Sequence, residues 1–190
     1  GKLSYEQGPH HLEGLQAGQT DIGHLHFFSL REIKQPLWYV DKLIKGGINT
    51  GIFDKAKPEV QVLINALKKV KENPELKFVY IVIGSEGGVH SSLYHLYAQM
   101  RLAEEVGLRK EQFVIILAAD GRDVPSRTAH LYLRDVFAKT EEIGIGIVSL
   151  VFGRDMLVRK EGAEQITNRL IDVLSGKDID KEDVVKVSVS

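Results

Sequence analysis

Three runs of apolar, largely β-branched residues alternate along the chain with segments whose apolar residues recur at helical spacing. Helix-length connections between apolar strands are typical of parallel pairing, with helices covering the sheet. The pattern therefore predicts an α/β fold with a parallel-type sheet in a three-layer α/β/α sandwich. The apolar runs cover residues 78–83, 113–119 and 145–152, and the helical segments after them cover about 92–106, 126–143 and 162–174.

Two further helices are predicted ahead of the first strand. One opens at Pro36 and ends at Gly46-Gly47, as a helix C-terminus commonly does. The other is amphipathic, opens at Pro58 and is stopped by Asn73-Pro74. A last β-branched run at residues 184–189 predicts a closing strand.

The first part of the chain lacks such a pattern. Glycine and proline interrupt residues 1 to about 33, which predicts loops and short turns there. We therefore expect two units, with residues 1–45 as an N-terminal segment that is irregular apart from one helix, and residues 46–190 as one α/β domain.

Large apolar side chains are concentrated near the end of this N-terminal segment. They either cover the edge of the same core, which is the commoner arrangement, or form an interface with a protein partner. The cluster consists of Phe27, Phe28, Leu30, Leu37, Trp38 and Tyr39.

Polar, glycine-rich segments follow each of the three apolar runs. Gly84 to Ser91 follows the first, Asp120-Gly121-Arg122-Asp123 the second, and Gly153-Arg154-Asp155 the third. Ligands of open α/β sheets bind beyond the carboxyl ends of the strands. We therefore expect His90, Arg122, Asp123 and Arg154 to converge at one edge of the sheet.

These side chains suit a small anion. Arginine donates paired hydrogen bonds to phosphate or carboxylate, Asp123 beside Arg122 can carry a proton, and His90 can serve as acid, base or phosphate donor. A single Gly-Arg-Asp after a strand is more often a turn with a surface ion pair, and a single histidine there is more often a helix-start residue. The coincidence at three strand ends favours a binding site.

Composition narrows the classes of partner. The 25 basic and 26 acidic residues give a net charge of −1, and there is no basic run, so nucleic acid is a poor candidate. The absence of cysteine excludes disulfides and thiolate metal sites and fits a reducing compartment. No apolar run is long enough to span a membrane, and the first residues lack a signal-peptide pattern. We expect an intracellular protein, in the cytoplasm or an organelle matrix.

The strand-end motifs resemble the substrate-binding domain of cofactor-independent phosphoglycerate mutase. The resemblance covers about residues 46–160, and it extends upstream, more weakly, to Gly14–His24, where Thr20 stands at the place of the family's nucleophilic serine. It rests on Gly87-Gly88-Val89-His90-Ser91 with His95, on Ala119-Asp120-Gly121-Arg122-Asp123-Val124-Pro125, and on Gly144-Ile145-Gly146 leading to Gly153-Arg154.

The resemblance implies that two domains contribute different parts of the active site. An alkaline-phosphatase-like domain holds two manganese ions and the nucleophile, and the second domain holds the glycerate while the phosphoryl group moves. Carried over by position, His90, Arg122, Asp123 and Arg154 bind substrate phosphate and carboxylate. Asp123 is then the proton carrier and Thr20 the altered nucleophile position. Arg159 is a weaker carry-over, because the spacing after Arg154 is one residue shorter than in the family.

The sequence also departs from the family pattern. The early Asp-Gly metal ligand and the later half with its Asp and His ligands are missing, and His10, His11, His24 and His26 are interpreted as structural or solvent-facing. No metal ligands and no cofactor are therefore expected in this chain, while the resemblance implies manganese in the family's complete enzymes.

Departures occur in the motifs too. Glu86 replaces the family's Asp, Ser92 replaces its second His, and Gln19 directly precedes Thr20. Two hypotheses follow. In the first, the chain is a mutase-like domain that binds a small phosphorylated acid such as phosphoglycerate but is inactive alone. In the second, it is a degenerate, non-catalytic relative that acts as a structural or interaction subunit of a larger assembly.

Overall fold

The computed structural model describes residues 28–29, 36–47, 50–157, 162–175 and 184–186. Within them, helices and strands alternate in the predicted order. The helices are α1 Pro36–Asp41, α2 Pro58–Glu72, α3 Leu93–Val106, α4 Ala129–Ile143 and α5 Ala163–Leu174, with short 3₁₀ helices at Lys110–Gln112 and Arg154–Met156. The strands are β1 Phe78–Gly84, β2 Phe113–Ala119, β3 Ile147–Gly153 and β4 Val184–Lys186.

The described strands form one sheet in the order β1-β2-β3-β4. β1 pairs parallel with β2, and β2 pairs parallel with β3, so the predicted parallel sheet is confirmed. β4 instead runs antiparallel to β3, which the alternation of helices and strands did not predict. The chain enters β4 beside Phe152, at the carboxyl end of β3, so it runs back along that strand.

Helices cover both faces of the sheet, as the three-layer prediction requires. On one face, α2, α3 and α4 pack against a large cluster that includes Val82, Ile115 and Leu117. On the other face, Leu170 of α5 packs against a smaller cluster. This smaller cluster consists of Ile83, Ile116, Ala118, Leu150 and Phe152.

Two helices differ from their predicted bounds for local reasons. α1 ends at Asp41, because the chain then pairs with residues 52–54 through hydrogen bonds from the Lys45 N–H to the Ile52 carbonyl, at 2.7 Å, and from the Asp54 N–H to the Leu43 carbonyl, at 2.7 Å. α4 begins at Ala129 because Arg127 has a φ of 67°, a left-handed conformation that a helix cannot contain.

Parts of the chain ahead of α2 belong to the main core. Ile44 and Phe53 are buried and bridge to each other, and Val40 and Leu43 pack against the same cluster. Phe28 and Tyr39 are 78% and 60% exposed. Phe27 and Leu30 lie outside the described residues, so the interface role of this aromatic cluster stays a prediction.

The fold also leaves apolar surface on β1. Val79 and Ile81, on the face that α5 partly covers, are 49% and 41% exposed. β1 is an edge strand of the sheet formed by the described residues. None of the helices that the structure describes is long and apolar enough to cross a membrane.

Candidate functional site

The three polar strand ends lie side by side. The parallel register aligns Gly84 with Ala119 and Ala119 with Gly153, so the residues that follow these positions start from one edge of the sheet. His90, Asp123 and Arg154 are in direct contact there, as the strand-end rule predicts.

Arg154 is at the centre of this arrangement. Its Nη1 atom donates to Asp120 Oδ1 at 2.8 Å and to Asp123 Oδ2 at 2.7 Å. The Arg154 side chain is only 8% exposed and that of Asp120 is fully buried. Burial by itself lowers the pKa of the Arg154 guanidinium, but the hydrogen bonds and charges of Asp123 and Asp120 outweigh burial and raise that pKa.

Asp120 connects all three strand ends. Its Oδ2 accepts from the Ser85 hydroxyl at 2.6 Å, and its Oδ1 accepts the backbone N–H groups of Gly121, Arg122 and Asp123 at 2.8, 3.1 and 3.3 Å. Burial raises the pKa of Asp120, but the hydrogen bonds, led by that of Ser85, prevail and lower it to about 2. Asp120 is therefore ionised at neutral pH.

His90 completes the cluster from the β1 side. Its Nδ1 atom lies 3.0 Å from Asp123 Oδ2 and 3.1 Å from Arg154 Nη2. The His90 side chain is 36% exposed, so the ring also faces solvent. The histidine thus connects a buried ion pair with the surface where a ligand would approach.

Arg122 has a different role in the structure. Its backbone N–H donates to Asp120, whereas its side chain is exposed and makes no ion pair with any residue that the structure describes. Its guanidinium is thus available to an external anion, unlike the Nη1 atom of Arg154.

Sequence reasoning identified only part of this cluster. Asp120 and Ser85 belong to the quoted motifs but were not predicted as site residues. The available signal was the position of Asp120, directly after a buried strand and ahead of three backbone N–H groups, where aspartate commonly accepts hydrogen bonds. Thr20 and Arg159 lie outside the described residues, so their roles stay predictions.

The site leaves no room for a side chain at Gly87. A Cβ atom at Gly87 would lie 2.7 Å from Asp123 Cβ and 3.2 Å from the Asp123 carbonyl oxygen. We expect Gly87→Ala to displace Asp123 and to lower the free energy of unfolding by about 1–3 kcal/mol, as overpacking does. Urea denaturation measures the loss.

Gly153→Ala is the matched control for this prediction. Gly153 also stands at a strand end, but its φ is −69° and a Cβ atom there would have no neighbour within 4 Å. Equal losses in the two variants would show that the close approach of Gly87 to Asp123 does not matter.

The cluster does not resemble a metal centre. The described residues include no group of three or more His, Asp or Glu side chains placed to hold a metal ion. Asp120 and Asp123 both bond to Arg154, which occupies the position that a cation would take. These residues therefore do not fit a manganese pair, which the family resemblance implies for the alkaline-phosphatase-like domain of the complete enzymes.

The parallel sheet, with charged side chains gathered beyond its strand ends, defines an α/β domain of the ligand-binding type. Residues 48–187 match the family model described as the BPG-independent PGAM N-terminus. The chain belongs to this family of 2,3-bisphosphoglycerate-independent phosphoglycerate mutases, which confirms the resemblance in the strand-end motifs.

Individual relatives agree with the family match. The chain is 36% identical over 139 residues to the 2,3-bisphosphoglycerate-independent phosphoglycerate mutase of Staphylococcus saprophyticus, covering 73% of this chain and 25% of that protein. It is 31% identical over 160 residues to the enzyme of the same name from Thiobacillus denitrificans, covering 84% and 29%. The chain thus spans about a quarter of the length of these relatives.

A solved structure supports the fold. The chain aligns with a crystal structure of Leishmania mexicana phosphoglycerate mutase at a TM-score of 0.56 and 21% sequence identity, over 70% of this chain and 24% of the other. At this identity the likeness concerns the fold alone, and it agrees with the predicted α/β architecture.

Proposed function

We propose that this mutase-family domain binds a small phosphorylated carboxylic acid, such as phosphoglycerate, through His90, Arg122, Asp123 and Arg154. Asp123 would be its proton carrier. Phosphoryl transfer would need residues outside the matched quarter of the family's length, so the chain alone would be inactive. The proposal includes Thr20 as the altered nucleophile position and Arg159 as a further anion contact.

The observation that carries this proposal is the contrast between the two arginines. Arg154 is fixed through Nη1 by two carboxylates, but its buried Nε atom has no hydrogen-bond partner among the residues that the structure describes. Buried polar atoms are almost always hydrogen-bonded, so an unpartnered one calls for an explanation. An oxyanion that accepts from Arg154 Nε and from the exposed Arg122 would satisfy both groups.

The proposal also covers domain organisation and setting. The start of the family match at residue 48 supports the division into residues 1–45 and 46–190, whereas the packing of Ile44 in the main core ties the end of the first unit to the second. An intracellular location is supported by the absence of cysteine, which fits a reducing compartment.

Binding of 3-phosphoglycerate to an Arg122→Ala variant tests this function. A hydrogen bond to a charged group contributes about 1.5–3 kcal/mol, so the variant should bind about 10–100-fold more weakly than wild type. Calorimetric titration measures both affinities. Because the side chain is exposed and unpaired with described residues, the fold should be retained.

Arg134→Ala is the control for this titration. Arg134 is 75% exposed on α4, and its ion-pair partner is the adjacent Asp135. The control removes the same charge from the chain without touching the strand ends. Equal weakening in both variants would point to a general charge effect and would contradict the proposed site.

A structural or interaction function is the second candidate. The observation that favours it is the exposed apolar pair Val79 and Ile81 on edge strand β1, since such edges are available to pair with another chain. The N-terminal segment could contribute to the same contact with a protein partner. A folded wild-type chain that binds no 3-phosphoglycerate at millimolar concentration would favour this second function.

A further inference from the structure

The Nδ1 atom of His90 faces two groups with opposite requirements. Arg154 Nη2, at 3.1 Å, is a donor and needs a lone pair on Nδ1. Asp123 Oδ2, at 3.0 Å, is an acceptor and needs a proton on Nδ1. One ring nitrogen holds either the lone pair or the proton, so His90 can satisfy only one of these neighbours at a time.

Without a ligand, the contact with Arg154 is the one that the cluster needs. Asp123 Oδ2 already accepts a hydrogen bond from Arg154 Nη1 at 2.7 Å. Arg154 Nη2, by contrast, has His90 as its acceptor among the described residues. The Arg154 side chain is buried. We therefore expect neutral His90, with the lone pair on Nδ1 and the proton on Nε2.

A bound anion would change both the hydrogen bonds of His90 Nδ1 and the net charge of the cluster. If it accepts a hydrogen bond from Arg154 Nη2, the lone pair of His90 Nδ1 is no longer needed and can take a proton, which then bonds Asp123. The charges of Asp120 and Asp123 already balance those of Arg154 and Arg122, so a bound anion leaves the cluster net negative. A protonated histidine restores the balance, and both of its nitrogens then donate.

We propose that anion binding at this site is coupled to proton uptake by His90 Nδ1. The proton comes from solvent, the neutral imidazole becomes an imidazolium, and the Nδ1 atom changes from an acceptor for Arg154 into a donor to Asp123. Protonation of Nδ1 leaves Arg154 Nη2 free to donate to the anion. The anion, by accepting from Arg154 Nη2, leaves Nδ1 free to take the proton. The inference rests on the proposed function, because it assumes that this cluster is where the anion binds.

Among the residues that the structure describes, charged groups from all three strand ends lie around His90. Asp123, from the loop after β2, and Arg154, from the end of β3, contact it directly. Asp120 lies behind Arg154, Arg122 belongs to the same loop as Asp123, and Glu86 precedes His90 in the loop after β1. Two aspartates balance the two arginines, and Glu86 adds one negative charge, so a proton on His90 would offset negative charge in this cluster.

Nitrogen NMR of the histidine rings tests this inference on the full chain. The Nδ1 resonance of His90 is assigned by its loss in His90→Gln. In the free protein at neutral pH, we expect an unprotonated Nδ1 and a protonated Nε2. Saturation with 3-phosphoglycerate should move the Nδ1 resonance to its protonated position. Sulfate, whose charge does not change near neutral pH, should move it in the same direction.

Two other histidines serve as internal controls in the same spectra. His130 is exposed at the start of α4, and His95 is buried with its Nε2 atom 2.6 Å from Asp41 Oδ1. Neither should change its protonation when the anion binds. If 3-phosphoglycerate binds while His90 keeps one protonation state throughout, the inference is wrong and the proposed function stands. If nothing binds, the proposed function itself fails.

Discussion

Replacing Arg154 with methionine is expected to lower the free energy of unfolding by about 3–5 kcal/mol, the loss typical of removing one partner from a buried ion pair. The variant leaves the Asp120 carboxylate, which is fully buried, without its guanidinium. Asp123 loses its bond from Arg154 Nη1 at the same time. Urea denaturation of the wild-type chain and the variant measures the difference.

Arg109→Met is the matched control. Arg109 also makes an ion pair at 2.7 Å, with Glu111, but these side chains are 48% and 50% exposed. Exposed pairs contribute about 0–1 kcal/mol, so this variant should be close to wild type. Similar losses in the two variants would show that burial at the strand ends does not determine the energetics of the Arg154 cluster.

The second large effect concerns stability in acid. The hydrogen bonds of Asp120, led by that of Ser85, overcome the effect of burial and lower its pKa from 3.8 to about 2. The unfolded chain therefore binds this proton more readily than the native one. The carboxylate stabilises the fold by about 2 kcal/mol above about pH 4, and this stabilisation is lost as the pH falls through about 2.

Asp120→Asn is the variant that reveals this dependence. Its deficit in unfolding free energy relative to wild type should be largest near neutral pH and should shrink by about 2 kcal/mol toward pH 2. Asp155→Asn, which changes the exposed residue next to Arg154, should show no such trend. A deficit for Asp120→Asn that stays constant between neutral and acidic pH would contradict the assigned pKa.

The strands could be predicted from sequence because each is a short apolar run between turn residues. The β2 bounds, Phe113–Ala119, are those that the pattern predicts. The direction of β4 could not be predicted, because it depends on where the chain returns to the sheet after α5. α1 ends early because residues 43–45 pair with residues 52–54. The spacing of apolar residues along the chain gives no information on this contact.

The same distinction applies to the site. His90, Asp123 and Arg154 could be predicted to meet, because strand order and the strand-end rule bring them to one edge. The role of Asp120 in joining the strand ends could not be predicted. It depends on a hydrogen bond to Ser85 and an ion pair with Arg154, residues that lie 35 and 34 positions away in the sequence. The pairing of Arg154 with two carboxylates is likewise a property of the folded chain.

The central claim is that three strand ends form one anion site. A titration of the labelled wild-type chain with 3-phosphoglycerate, followed through its backbone amide resonances, tests it most directly. We predict saturable shifts concentrated at residues 85–91, 120–123 and 153–154, with one common affinity. Saturable shifts that leave these three strand ends unchanged, or no shifts from a folded chain at millimolar ligand, would contradict the account.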